Sequence, residues 1–177
     1  MTWNEFEAYA RQYIKRDGID QLLFYMEECK FENQPASAGH HGAYAGGLMD
    51  HSINVHKRLV RELNEEYGRD WPYSEESVAI VGLFHDLCKL DDYITNEDGT
   101  FSYNPHALRL GHGEKSLYML QRFITIYSEE ALAIRWHMGG WDYAAKGGDP
   151  NYQYASNDAL TVLLHFADMK ASRFDEK

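Results

Sequence analysis

Apolar residues return at helical spacing through most of the chain. Thr2-Trp3-Asn4-Glu5 has the form of a capping box, a hydroxyl followed three residues on by a carboxylate. It predicts a helix running to about Arg16, where Asp17-Gly18 supplies a stop. Ile19, Leu22, Leu23 and Met26 form the apolar stripe of a second helix. From Lys30 to Gly47 the period lapses into Gly, Pro, Ser and Asn around His40-His41-Gly42-Ala43-Tyr44-Ala45-Gly46-Gly47, which reads as a loop. Leu48 to Tyr67 is a long helix with Leu48, Val55, Leu59 and Leu63 inward, ended by Gly68. Ser74 caps a helix predicted through about Leu90, with Glu75 and Glu76 in the first turn, where carboxylates suit the helix dipole. A polar loop from Asp91 to Pro105 leads to a helix from about Gly111 to Ile126. Ser128 opens another that Gly139-Gly140 closes, and the last starts near Ser156 and ends near Ser172. No stretch alternates convincingly as a strand does, and no internal repeat is visible. The pattern predicts an all-α fold, a single helical bundle of about six to eight helices forming one domain over residues 1–177.

Composition narrows what such a bundle can do. A chain of 177 residues with 44% apolar content can bury a sizeable core, and its 25% charged residues leave no long solvating tract. Seventeen basic against 28 acidic residues give a formal charge of −11, which repels polyanions and argues against long nucleic acid as a partner, while small anions stay within reach of a local cationic site. No apolar run approaches the roughly 20 residues a membrane span needs. The first residues are neither basic nor followed by an apolar stretch, so the expected location is the cytoplasm, with no membrane partner. Cys29 and Cys88 are too few for a disulfide framework and read as reduced thiols. The composition leaves room for a homo-oligomer.

The chemistry lies in polar residues placed where the core should be. His85-Asp86 interrupts the otherwise apolar run from Val78 to Leu90. His51 sits one turn before Val55 on an inward stripe, and Asp168 one turn after Leu164. A buried imidazole or carboxylate needs a partner. Singly, each is more often a hydrogen-bonded core residue, but four such positions on three apolar helices point to a shared metal. Neighbouring helical residues do not share a face, so His85 and Asp86 would both meet the ion at the rim of their helix, and a carboxylate has two oxygens with which to bridge two ions.

This pattern resembles the metal motif of the HD superfamily: a His, a His-Asp pair, and a distant Asp, here His51, His85-Asp86 and Asp168. Phe84-His85-Asp86-Leu87-Cys88-Lys89-Leu90 is similar to the family's dyad, including the lysine three residues after the Asp; Cys88 replaces a small residue, often Gly. The segments His40 to His51 and Leu163 to Asp168 resemble the HD part of bacterial 3′-5′ exoribonucleases in which an OB-fold precedes the HD domain. The resemblance runs from about residue 40 to 173, which it marks as the core, and the residues before it are expected to form no OB-fold. It implies an HD-type helical bundle with two divalent transition-metal ions, of Mn, Fe, Co, Ni or Zn. His51, His85, Asp86 and Asp168 would hold the first ion, and Asp86 would bridge to a second held by His112 and His137.

Such a pair, about 3.5–4 Å apart, can activate water and clamp the oxygens of a phosphorus centre. The resemblance therefore implies a phosphohydrolase that cleaves phosphate esters of nucleotides or short oligonucleotides, with Asp86 and Lys89 as catalytic residues and a small anionic, phosphate-containing substrate. His40, His41 and Arg109 are the expected substrate-binding residues, and the aromatic cluster Trp141, Tyr143, Tyr152 and Tyr154 a candidate base platform. Three other readings stay open: a mixed-valent diiron oxygenase of HD type that cleaves a C–C or C–P bond, a 3′-5′ exonuclease acting on single strands, and a binding module without catalysis.

Overall fold

In the computed structural model, which describes residues 1–176, the capping box closes as its sequence predicts. The Thr2 hydroxyl accepts from the Glu5 N–H, and the Glu5 carboxylate accepts from the Thr2 N–H at 2.8 Å, starting helix α1 (Trp3–Tyr13). Helices α2 (Ile19–Glu28), α3 (Gly47–Tyr67), α4 (Glu75–Phe84) and α5 (Lys89–Asp92) follow. A two-stranded antiparallel hairpin, β1 (Tyr93–Thr95) with β2 (Phe101–Tyr103), then precedes α6 (His112–Gln121), α7 (Ser128–Trp136), α8 (Tyr143–Lys146), α9 (Pro150–Ala155) and α10 (Ala159–Lys170). The chain is all-α apart from that hairpin, with seven helices of nine residues or more among the described residues.

The elements differ from the periodicity in several places. The helix expected from Ser74 to Leu90 stops at Phe84; the next residues make tighter bonds (Leu87 N to Phe84 O, Lys89 N to Asp86 O) before α5. The polar loop from Asp91 holds the hairpin, whose three-residue strands are too short to show alternation. The last helix begins at Ala159 rather than near Ser156 because Asp158, which accepts from the Thr161 N–H at 2.8 Å, is its cap.

Helix α3 lies against α4 and α10, and α7 packs on α10 and α6. Val55 and Leu59 of α3, Ile80 and Leu83 of α4 and Leu160 and Leu164 of α10 are buried in one core. Each such side chain contributes about 1.5–3 kcal/mol by leaving water. Phe6, Ala10, Leu22 and Met26 of α1 and α2 belong to the same cluster, so the first two helices are packed into the hydrophobic interior. Arg16 reinforces this, with its guanidinium forked on the buried Glu130 at 2.7 and 2.8 Å, tying the chain after α1 to the start of α7.

Two glycines set helix spacing near the polar centre. A Cβ on Gly82 would lie 2.8 Å from the His56 Cα, so α3 and α4 approach closely where His51 and His85 must meet. A Cβ on Gly113 would collide with the Arg135 carbonyl at 2.2 Å, and that close approach of α6 to α7 brings His112 to His137.

Candidate metal centre

Asp86 is the hub. Its Oδ1 lies 2.5 Å from His112 Nε2 and 3.4 Å from His137 Nε2, while Oδ2 lies 3.3 Å from His51 Nε2 and 3.6 Å from His85 Nε2. Asp168 Oδ1 is 3.3 Å from His51 Nε2. The four side chains that the sequence pattern singled out and the two that the resemblance added therefore meet in space, and the two Asp86 oxygens divide the imidazoles into two pairs. The break after Phe84 makes this possible. On a regular helix adjacent side chains diverge, whereas the tight turn from His85 to Cys88 lets an imidazole and its neighbouring carboxylate serve one centre.

The imidazole tautomers are fixed from behind. His85 Nδ1 donates to the Gly82 carbonyl at 3.1 Å, and His137 Nδ1 to the Ile134 carbonyl at 2.7 Å. Each ring then presents a bare Nε2 lone pair to the centre. The Nε2 atoms of His51, His85 and His137 are all buried without a hydrogen-bond partner. Buried polar atoms are rarely left so, and three converging nitrogens beside two carboxylates form a donor set suited to a divalent transition ion. Such an ion could be held by His51 with His85 and Asp168, or by His85 with Asp86 and His137.

Electrostatics agree with this donor set. Burial pushes the His85 ring down to about pKa 3, leaving it neutral. Burial also opposes the charged form of Asp86, but Lys89, His85 and His112 outweigh it and keep the carboxyl well below the usual range. At His51 and His137 burial, which opposes the charged form, is outweighed: Asp168, Asp86 and Glu176 raise the pKa of His51, and Asp86 raises that of His137. The carboxylates of Asp86 and Asp168 thus favour positive charge on the imidazoles, the charge that a bound metal ion would supply instead.

The centre is the floor of a cavity of about 720 Å³ lined by His40, His41, Lys89, Tyr93, Tyr103, Met138, Met169 and Arg173, among others. His41 is half-buried; its burial, then His51 and Lys89, hold its pKa below the usual value, so its ring is neutral. Arg109 is exposed and does not line this cavity; the cation at its mouth is Arg173, in the π-helical turn Ala171–Asp175 that follows α10. Trp141, Tyr143 and Tyr154 are also exposed, outside the cavity, and Tyr152 packs on Trp136 at 5.6 Å between ring centroids. The aromatic wall comes instead from Tyr93 and Tyr103, paired across the hairpin with centroids 5.3 Å apart.

Two residues with a place in the centre were not recognised from sequence as chemistry. Glu176 bonds to the back of His51 at 2.9 Å, three residues beyond the stretch the resemblance covers. Cys88, which reads as a small packing residue, is buried with Sγ 3.4 Å from His112 Nδ1, and its thiol is held protonated by burial. The regular position of Cys88 two residues after Asp86 was the available signal for it; Glu176 offered none.

The site so defined is a buried histidine–aspartate centre beneath an open cavity. Over 75 residues the chain is 37% identical to a dihydroneopterin 2′,3′-cyclic phosphate phosphodiesterase of Methanocaldococcus jannaschii, a match that takes in 41% of this chain and 29% of that protein. The chain thus spans less than a third of the length of this relative. No family model matches the sequence, and no solved structure matches it. Among the described residues no helix is long and apolar enough to cross a membrane.

Proposed function

We propose that this protein is a divalent-metal-dependent phosphohydrolase of HD type, acting on compact phosphate esters of nucleotides or related heterocycles. The observation that carries the reading is the set of three buried, unpartnered imidazole nitrogens turned toward the two oxygens of Asp86 at the floor of a cavity. The relative named above, a cyclic phosphate phosphodiesterase, supports the choice of phosphorus chemistry.

In this reading His51, His85, Asp86 and Asp168 hold one ion, and Asp86, His112 and His137 a second. Bound divalent ions supply Lewis acidity toward a phosphoryl oxygen and acidify water. The chain's own groups do the rest. Lys89, buried 2.5 Å from Asp86 Oδ2, stays charged and sets positive potential at the cavity floor. Arg173 receives phosphate oxygens at the mouth. His41, neutral and with a buried Nε2 that has no partner, is placed to accept a hydrogen bond or proton from the substrate, and His40 stands beside it. Tyr93 and Tyr103 offer a face to a planar heterocycle.

The cavity is of the size that takes a small organic ligand. With a formal charge of −11 around it, a long single strand is disfavoured. The test is metal content of protein purified without oxygen, followed by hydrolysis assays that read phosphate release from nucleotides and chromatographic separation of the monoester products from 2′,3′-cyclic nucleotides and from oligonucleotides up to about 20 residues, at two salt concentrations. Hydrolysis of the short esters with shallow salt dependence is the expected result. A specificity constant that climbs steeply with length and collapses in salt would return the protein to the exonucleases. Iron-dependent dioxygen uptake without hydrolysis of any ester would make it an oxygenase.

A further inference from the structure

Glu176 is an unusual carboxylate for a surface turn. Its side chain is 1% exposed, and its oxygens lie 2.9 and 3.2 Å from the Nδ1 of His51. His51 itself is fully buried on α3, and its Nε2 faces Asp86 and Asp168. A carboxylate is costly to bury unless it is paired, so this geometry needs a cause. The other two fully buried rings of the centre are oriented by backbone carbonyls of their own helices, Gly82 for His85 and Ile134 for His137. His51 is oriented by a charged group from 125 residues away.

The segment that delivers Glu176 is clamped. The π-helical turn Ala171–Asp175 leaves α10 just after Asp168, and Arg58 of α3 forks onto Asp175 with contacts of 2.8 and 2.6 Å. Ser172 Oγ bonds back to the Asp168 carbonyl at 2.9 Å. The turn therefore spans from one carboxylate of the centre, Asp168, to the group behind another of its members, His51.

We propose that Glu176 is a positioning residue of the metal centre: accepting from His51 Nδ1–H, it fixes that ring with Nε2 toward the ion, and the Arg58–Asp175 pair holds the turn that presents it. This rests on the metal-dependent reading above and adds a carboxylate–histidine–metal relay to it. A carboxylate in this position raises ligand basicity as well as fixing orientation, and loss of such a partner typically costs about 10–100-fold in metal affinity.

The experiment is titration of metal-free protein with Mn²⁺ by calorimetry, and with Co²⁺ by visible absorption, for the wild type, Glu176→Gln, Glu176→Ala and Arg58→Met. Thermal melts without metal report whether each variant is folded. Glu176→Ala is expected to bind about 10–100-fold more weakly and to show an altered Co²⁺ spectrum. Glu176→Gln keeps an acceptor for Nδ1–H and should recover much of the affinity. Arg58→Met, which leaves Glu176 intact, should fall between the wild type and Glu176→Ala. Should Glu176→Ala not fold, Gln and Arg58→Met carry the test, and wild-type affinity and spectrum in both would overturn the proposal. Folded Glu176→Ala that binds like the wild type overturns it too, while leaving the metal reading standing. Wild-type protein that takes up neither ion removes the metal reading and this proposal with it.

Discussion

Lys89 Nζ lies 2.5 Å from Asp86 Oδ2, one turn further along the chain, and both side chains are buried at the cavity floor. The pair shares its carboxylate oxygen with His51 and His85. Lys89 thus neutralises Asp86 while adding positive charge where a phosphate would arrive. Lys89→Met should retain metal uptake, since it removes a cation that competes with the ion for Asp86. It should lower kcat by about 10²–10³-fold, the usual cost of deleting one group aimed at developing charge. Metal analysis and kinetics on the same preparation check this, and a variant that loses its metal would make Lys89 a structural counter-ion only.

The division of the imidazoles between the two Asp86 oxygens gives a second expectation. Asp86→Ala should abolish activity and release at least one ion, because both halves of the centre depend on it. His112→Ala should deplete one ion and spare the other. Elemental analysis after dialysis reads both outcomes. Full stoichiometry in Asp86→Ala would rule out a bridging role.

Tyr103 is 71% exposed and yet lines the cavity beside Tyr93. Stacking of a base on an aromatic ring is worth about 1–3 kcal/mol, so Tyr103→Ala should raise KM for a nucleotide by about 5–150-fold while leaving kcat nearly unchanged. Hydrolysis of an alkyl phosphate ester, which has no ring to stack, should be unaffected. Equal losses on both substrates would show that the hairpin acts through folding.

His56 supplies a pH prediction away from the centre. It is buried on α3, with the Tyr9 hydroxyl 2.9 Å from its Nδ1, and burial lowers its pKa to about 4 from 6.5. The unfolded chain binds the proton more readily than the folded one, so the stability it contributes is present above pH 6.5 and is lost as pH falls toward 4. The loss is on the order of 3 kcal/mol. His85 titrates in the same sense, so the test is a comparison: in urea melts of metal-free protein, His56→Leu should show a shallower fall in stability between pH 6.5 and 4 than the wild type. Parallel curves would assign the acid sensitivity elsewhere.

Sequence by itself determined that the chain is helical and where its polar anomalies lie. The capping residues Thr2 and Ser74, the apolar stripe of α3 and the intrusion of His51, His85, Asp86 and Asp168 into apolar segments are local facts, and local chemistry is what periodicity reports. His112 and His137 could be named only through a resemblance, since each stands at a helix end where nothing local distinguishes it from a surface histidine.

Tertiary structure alone decided the rest. The apolar run continues to Leu90, so nothing local marks the stop of α4 at Phe84, and the hairpin that carries Tyr93 and Tyr103 is too short to leave a period of two. Arg173 rather than Arg109 reaches the cavity because the turn after α10 folds back toward α3, held by the Arg58–Asp175 pair. Glu176 finds His51 across 125 residues by the same turn. Contacts at such separation follow from how α3, α4 and α10 pack around a shared core, and no window along the chain contains both partners.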